Sequence, residues 1–167
     1  LGKIKSPRCI APLMKALEGD RDGAVRNAAI WALERIGSPE AVPALVHALT
    51  DATLREDAAR VLKKIGDSRA TDALIQELQG PNWIVRRHAA EALGKIGDPR
   101  GIEPLVESLG DEDWLVRRNA VESLAQLGNN RVISALVPLL EDENEMVRDT
   151  AEGALSSFGW TPESSQS

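Results

Sequence analysis

One pattern returns along this chain at nearly fixed intervals and constrains its fold more than any other feature. The dipeptides Val25-Arg26, Val85-Arg86, Val116-Arg117 and Val147-Arg148 each stand twelve residues before a glycine: Gly37, Gly97, Gly128 and Gly159. Leu54-Arg55 before Gly66 is a fifth copy, and the five glycines are spaced 29, 31, 31 and 31 residues apart. A period in this range marks a repeat architecture, in which each unit is one supersecondary element that buries its apolar face only by stacking on its neighbours.

Each unit encodes two helices. Pro39 and Pro99 introduce the first, at a position where a missing N–H costs nothing. Apolar residues then follow at helical spacing, as in Ile102, Leu105, Val106 and Leu109. The second helix opens at a side chain that accepts hydrogen bonds from free N–H groups, namely Asp22, Asp51, Asn82, Asp113 and Asn144. It closes at the recurring glycine, which suits a left-handed cap. The pattern predicts an all-α protein, a right-handed α-solenoid of about five helical hairpins. Its expected bounds are a partial repeat 1–5, full repeats 6–37, 38–66, 67–97, 98–128 and 129–159, and a cap with a polar tail at 160–167.

The second repeat is two residues short, and Leu49-Thr50-Asp51 against Leu109-Gly110-Asp111-Glu112-Asp113 places the loss in the turn inside the hairpin. Pro12, Pro43 and Pro104 are expected to bend the first helices, with Pro138 later in the last one. Leu1-Gly2-Lys3-Ile4-Lys5 matches Leu93-Gly94-Lys95-Ile96-Gly97, the tail of a second helix, so the expectation is that the chain was cut from a longer protein or that its numbering starts after lost residues. Trp160 is expected to cap the last hairpin.

Composition agrees with such a stack and excludes several functions. One Phe, no Tyr and four Trp leave a core of Leu, Ile, Val and Ala. A single cysteine excludes a disulfide scaffold and any multi-cysteine metal site, and two histidines cannot by themselves supply a His-rich centre. No apolar run reaches the roughly 18–20 residues that span a bilayer. The net charge of -6 argues against a broad nucleic-acid surface. No phosphate-cradling glycine loop or Ser–His–Asp signature occurs, so neither an enzyme nor a cofactor is expected. A monomeric cytoplasmic protein with a protein or peptide partner is the expectation.

The stretches Asp-Glu-Asp-Trp-Leu-Val-Arg-Arg-Asn-Ala at 111–120 and Arg-Arg-His-Ala-Ala-Glu-Ala-Leu-Gly-Lys-Ile-Gly-Asp-Pro-Arg at 86–100 resemble the HEAT-like repeats of the phycobilisome lyase type. The resemblance covers roughly residues 1–159. It implies the solenoid fold and leaves function open, because such repeats serve bilin lyase subunits, adaptors and the di-iron enzyme deoxyhypusine hydroxylase. That hydroxylase's signature has Glu directly after His in several repeats. Here Ala89 follows His88, and the equivalents of His88 are Ala28, Asp57, Asn119 and Thr150, so the ligand set is absent. His47 falls in a polar outer column.

The resemblance also implies that second helices line the concave surface. At 100° per residue from Val85, the stripe opposite Ala89, Ala92, Leu93 and Ile96 is Ile84, Arg87, His88, Glu91 and Lys95. Its columns across the repeats nominate Trp31, Arg60, Trp83, Ile84, Arg87, His88, Glu91, Trp114, Leu115, Arg118, Glu122 and Met146 as partner-binding residues. Trp83 and Trp114 either pack on the preceding turn or form an apolar strip with Ile84, Leu115 and Met146; Trp31 meets a ligand, packs on Arg35 or Arg60, or is merely exposed. The charged columns read as a mosaic groove suited to a peptide, or as solvated helix faces with i,i+4 pairing. The recurring Arg26, Arg55, Arg86, Arg117 and Arg148, each one position after a Val or Leu expected in the core, read as structural ties to turn carboxylates such as Asp67, Asp98 or Asp111, and Cys9 as a buried core residue. By resemblance, a bilin lyase-like subunit is the alternative function, with Trp31, His88 and Arg87 as its candidate contacts.

Overall fold

The computed structural model describes residues 9–65 and 68–161, and every regular element among them is helical. The chain forms two compact units, residues 1–76 and 77–167. The first holds α1 (Ile10–Gly19), α2 (Gly23–Ile36), α3 (Val42–Ala48) and α4 (Arg55–Ile65), with α5 (Ser68–Glu77) running to its boundary. The second holds α6 (Trp83–Ile96), α7 (Ile102–Glu107), α8 (Trp114–Leu127), α9 (Ile133–Leu136) and α10 (Glu145–Ser157). Each unit is a stack of helical hairpins, and the architecture is an all-α solenoid.

The caps sit where the repeat demands them. Asp22, Asn82, Asp113 and Asn144 each accept a hydrogen bond from the backbone N–H two residues on, at 2.9–3.0 Å. Asp51 does the same with Thr53 at 2.8 Å. At the other end, Gly37, Gly97, Gly128 and Gly159 have φ of 65°, 78°, 66° and 74°, a region that costs a side-chain-bearing residue energy. Gly66 lies outside the described residues.

The packing explains the scarcity of aromatics. Ala29, Ala58, Ala89, Ala120 and Ala151 share one place in successive second helices, and each is at most 2% exposed. A methyl group is all that the seam admits there. Larger aliphatics, such as Leu33, Leu62, Leu93, Leu124 and Leu155, are fully enclosed one turn later.

Several expectations are corrected. Pro12, Pro43 and Pro104 do not bend helix interiors: they fall within the first three residues of α1, α3 and α7. The first-turn N–H groups of a helix have no internal acceptor, so proline is tolerated there. These helices start late because the turns Pro39–Ala41 and Pro99–Gly101 are 3-10, capped by Ser38 and Asp98. Pro138 lies in the 3-10 segment Val137–Glu141. Val25 is 40% exposed although Leu54, Val116 and Val147 in its column are buried, and Cys9 is half-buried, not enclosed. Trp160 is half-buried, and its N–H bonds the Leu155 carbonyl at 3.1 Å, closing the end of α10.

Candidate protein-binding face

The recurring arginines set the spacing of the second helices. Each donates to the carbonyl six residues before it: Arg26 to Asp20, Arg55 to Leu49, Arg86 to Gly80, Arg117 to Asp111 and Arg148 to Asp142. This fastens the turn to the first coil of the second helix. The remaining edge of the guanidinium reaches the next repeat. Arg86 forks onto Asp111 at 2.7 and 2.9 Å, and Arg117 onto Asp142 at 2.8 and 2.8 Å. Bidentate pairing of this kind is strong and directional. Hydrogen bonds donated to Asp111 and Asp142, resisted by burial, hold the Arg86 and Arg117 guanidinium groups above their ordinary pKa.

The partners differ in part from those expected. Asp111 is one, but Asp98 pairs with its neighbour Arg100, and Asp67 lies outside the described residues. In the short second repeat, Asp51 both caps its helix and receives Arg26 at 3.3 Å, so the two-residue loss has merged two acidic positions into one. The place of Asp111 and Asp142 is taken by Gly80 in the third repeat, so the sequence supplies no carboxylate at the position that would answer Arg55.

In the second unit α8 packs between α6 and α10, which places the three second helices side by side. Their open faces carry most of the nominated residues. Trp83 is 38% exposed and Met146 47%, while Ile84, Leu115, Arg87, Arg118, Glu91 and Glu122 are half-buried. Trp114 is also half-buried, lining a cavity of about 340 Å³ with Glu112, Asp113, Glu143 and Asn144. Arg118 pairs with Glu122 at 2.9 Å and Lys95 with Glu91 at 2.6 Å. The Nε atoms of Arg87 and Arg118 are buried and have no acceptor.

His88 is the clear correction. It was expected on the exposed stripe but is 1% exposed, and its Nδ1 lies 3.3 Å from Glu91 Oε2. Its column faces the flank of the helix, not its crest: Asn119, the equivalent in α8, is also buried and bonds the Leu115 carbonyl at 2.7 Å. His88 therefore cannot present its ring to a partner while α6 keeps this packing. What it does is hold Glu91.

The hydrogen bond from His88, then the hydrogen bond and charge of Lys95, bring the Glu91 carboxyl from 4.5 down to about 2 against the opposing effect of burial. A depressed carboxyl stabilises the fold above its unfolded value and loses that contribution as pH falls from about 4.5 towards about 2. Carboxyl-carbon NMR should give a Glu91 midpoint near 2, and His88→Ala should move it back towards the ordinary range. An unmoved midpoint would assign the shift to Lys95 instead.

Trp31 and Arg60 belong to the first unit. Trp31 is 61% exposed, so neither Arg35 nor Arg60 covers it. Arg60 is engaged by Glu34 at 2.6 Å and Asp57 at 2.7 Å, and Lys64 also reaches Glu34 at 3.2 Å. Hydrogen bonds from Arg60 and then Lys64 keep the Glu34 carboxyl below its usual range. The nominations missed Glu145 and Asp149, which flank Met146 on α10, are exposed, and have no ion-pair partner among the described residues. Their signal was present in the sequence: four residues on from Glu145 is Asp149, and four on from Asp149 is Gly153, so neither has an i,i+4 cation.

The family model for HEAT repeats matches residues 1–63, 50–114 and 71–156, which together cover most of the chain. The chain belongs to the HEAT-repeat family. Comparison with curated proteins returned no match. Among solved structures, this HEAT-repeat chain is similar to the complex of CpcE and CpcF of phycocyanin lyase from Nostoc sp. PCC7120, at 26% identity and a TM-score of 0.61. That match covers 92% of this chain and 66% of the lyase chain, so the HEAT-repeat chain spans just under two thirds of the lyase chain's length. Human deoxyhypusine hydroxylase in complex with glycerol shares the fold at 21% identity and a TM-score of 0.58, over 95% of this chain and 76% of that one. A designed armadillo repeat protein in complex with the peptide (KR)4 does so at 24% and 0.53, over 90% and 82%. Among the described residues, no group of three or more His, Cys, Asp or Glu is placed to hold a metal ion, and no helix is long and apolar enough to cross a membrane.

Proposed function

We propose that this HEAT-repeat chain is a non-enzymatic scaffold that binds a protein or peptide segment along the open faces of α6, α8 and α10. One observation carries this reading. Trp83, Ile84, Leu115 and Met146 keep apolar surface open beside Arg87 and Arg118, on three helices packed in a row. Aromatic and arginine side chains together in a half-exposed patch are the usual composition of binding hot spots. The related lyase structure is itself a complex of two proteins, and the designed armadillo protein holds a peptide, which supports a protein or peptide as the partner class.

The test is selection of a displayed library of random dodecapeptides on the intact chain, with the Trp83→Ala, Trp114→Ala double variant as the comparison. Recovered peptides should bind the double variant at least about tenfold more weakly, while its helical circular dichroism stays near that of the parent. Peptides that bind both proteins equally would place the binding surface elsewhere. Loss of helicity would make the two tryptophans packing residues.

A second reading, a subunit that handles an open-chain tetrapyrrole, is favoured by the 26% identity to the phycocyanin lyase complex. Mixing the chain with free bilin should then shift the bilin absorbance in a way that depends on Trp31 or Arg87. An unchanged spectrum would discard it.

A further inference from the structure

The charges along the second-helix row are ordered. On α6, Glu91 is taken up by Lys95 at 2.6 Å and by His88, which leaves Arg87 without an ion-pair partner among the described residues. On α8, Arg118 and Glu122 cancel at 2.9 Å. On α10, Glu145 stands in the place of Trp114 and Asp149 in the place of Arg118, both exposed and both unpaired among the described residues. The row therefore runs from positive, through neutral, to negative. Alongside it lies the apolar strip of Trp83, Ile84, Leu115 and Met146.

We propose that this face takes one extended peptide segment with a set order of charge. Its carboxylate-bearing end lies over α6 at Arg87, its aliphatic side chains lie on the apolar strip, and its lysine- or arginine-bearing end lies over α10 at Glu145 and Asp149. The inference rests on the reading of the face as a peptide-binding surface and adds the chemistry and direction of the occupant. Arg87 is half-buried and has no ion-pair partner among the described residues, and a carboxylate is the acceptor that a guanidinium pairs with most strongly. A uniformly acidic segment would meet Glu145 and Asp149, and a uniformly basic one would meet Arg87; like charges in contact discriminate against wrong partners. Packed helices lie roughly 10 Å apart, so α6 to α10 spans about 20 Å. An extended chain covers that distance in about six residues.

The experiment measures binding of fluorescein-labelled peptides of about ten residues to the intact chain by anisotropy, at low and at physiological ionic strength. One peptide carries an acidic block, an aliphatic block and a basic block; a second has the same residues with the charges interleaved; a third is acidic at both ends. The blocked peptide should bind more tightly than the interleaved one. Arg87→Glu should weaken it by roughly tenfold, as should Glu145→Lys combined with Asp149→Lys, and both effects should shrink as salt is raised. The doubly substituted α10 variant should instead gain affinity for the peptide that is acidic at both ends. Arg87→Gln and Glu145→Gln with Asp149→Asn supply the same comparison without charge reversal should a reversed variant lose helicity.

Equal binding of blocked and interleaved peptides, both dependent on Trp83, would overturn the charge order and leave the peptide-binding reading standing. Failure of the blocked peptide to bind would also overturn it. The library selection decides separately whether the face binds peptides at all.

Discussion

Arg117→Ala should destabilise the chain by about 3–5 kcal/mol, the usual cost of removing one partner from a buried ion pair. The side chains of Arg117 and Asp142 are 8% and 7% exposed, so water cannot replace what is removed. The loss includes both bonds of the fork at 2.8 Å, the hydrogen bond to the Asp111 carbonyl at 2.9 Å and a weaker contact to Glu143 at 3.2 Å. It also leaves the buried Asp142 carboxylate with the Asn144 N–H at 2.9 Å but without its bidentate cation. Lysine should not rescue the variant, because a point charge cannot reproduce a planar fork. Thermal or urea unfolding checks this, and a shift of roughly 6–20 °C is expected for a chain of this size.

Two internal comparisons separate this mechanism from simple loss of a large side chain. Arg55 occupies the same place in its repeat and donates to the Leu49 carbonyl, but the sequence has Gly80 where the corresponding carboxylate would stand. Arg55→Ala should therefore cost only about 1 kcal/mol, the net worth of an ordinary hydrogen bond. The pH dependence supplies the second comparison. Burial alone would raise the Asp142 carboxyl, but hydrogen bonds from Arg117 and the Asn144 N–H, with the charges of Arg117 and Arg148, more than offset it and leave it depressed. Its stabilisation is complete above the unfolded carboxylate value, near 4, and falls away as the solution is acidified below that. The parent should lose stability over this range more steeply than Arg117→Ala.

The period, the caps and the glycine stops were legible because each depends on local chemistry that a repeat displays several times over. The face was legible only in part, and α8 shows why. A single apolar stripe assumes one buried side, whereas α8 is enclosed by α6, α7 and α10. Its buried residues Val116, Arg117, Asn119, Ala120, Val121, Ser123 and Leu124 cover an arc of about 200° at 100° per residue. The columns of Asn119 and His88 fall on the flank of that arc, so a residue that looks exposed on the wheel is enclosed by a neighbouring helix. Arginine likewise disguises itself: Arg86 and Arg117 are buried polar residues whose partners lie 25 residues ahead, beyond any local pattern. Val25 shows the reverse error, since an apolar residue in a core column stays exposed where no described element covers it.

Gly94→Ala sets helix propensity against packing, and packing should win. Glycine within a helix is about 1 kcal/mol less favourable than alanine, so propensity alone favours the substitution. Gly94, however, lies where α6 presses on α8. A methyl group there would sit 2.6 Å from Ser123 Oγ, 2.7 Å from its Cβ and 2.9 Å from its Cα. The side-chain oxygen could rotate away at the expense of its 2.8 Å bond to the Ala90 carbonyl, but the Cα is backbone and moves only with α8. Overpacking of this kind costs about 1–3 kcal/mol, and a bulkier residue such as leucine should exceed that range. Adding Ser123→Gly should restore only part of the loss, because the backbone contact persists. Gly153 is the control of opposite sign: it is exposed in α10 with nothing within 4 Å of an added methyl, so Gly153→Ala should stabilise by up to about 1 kcal/mol. Urea unfolding of both variants decides the matter, and a stabilised Gly94→Ala would mean that α6 and α8 can part without cost. Trp83 and Arg87 stand on α6 and Leu115 and Arg118 on α8, so a shift between these helices should weaken peptide binding in Gly94→Ala, whereas binding should survive in Gly153→Ala.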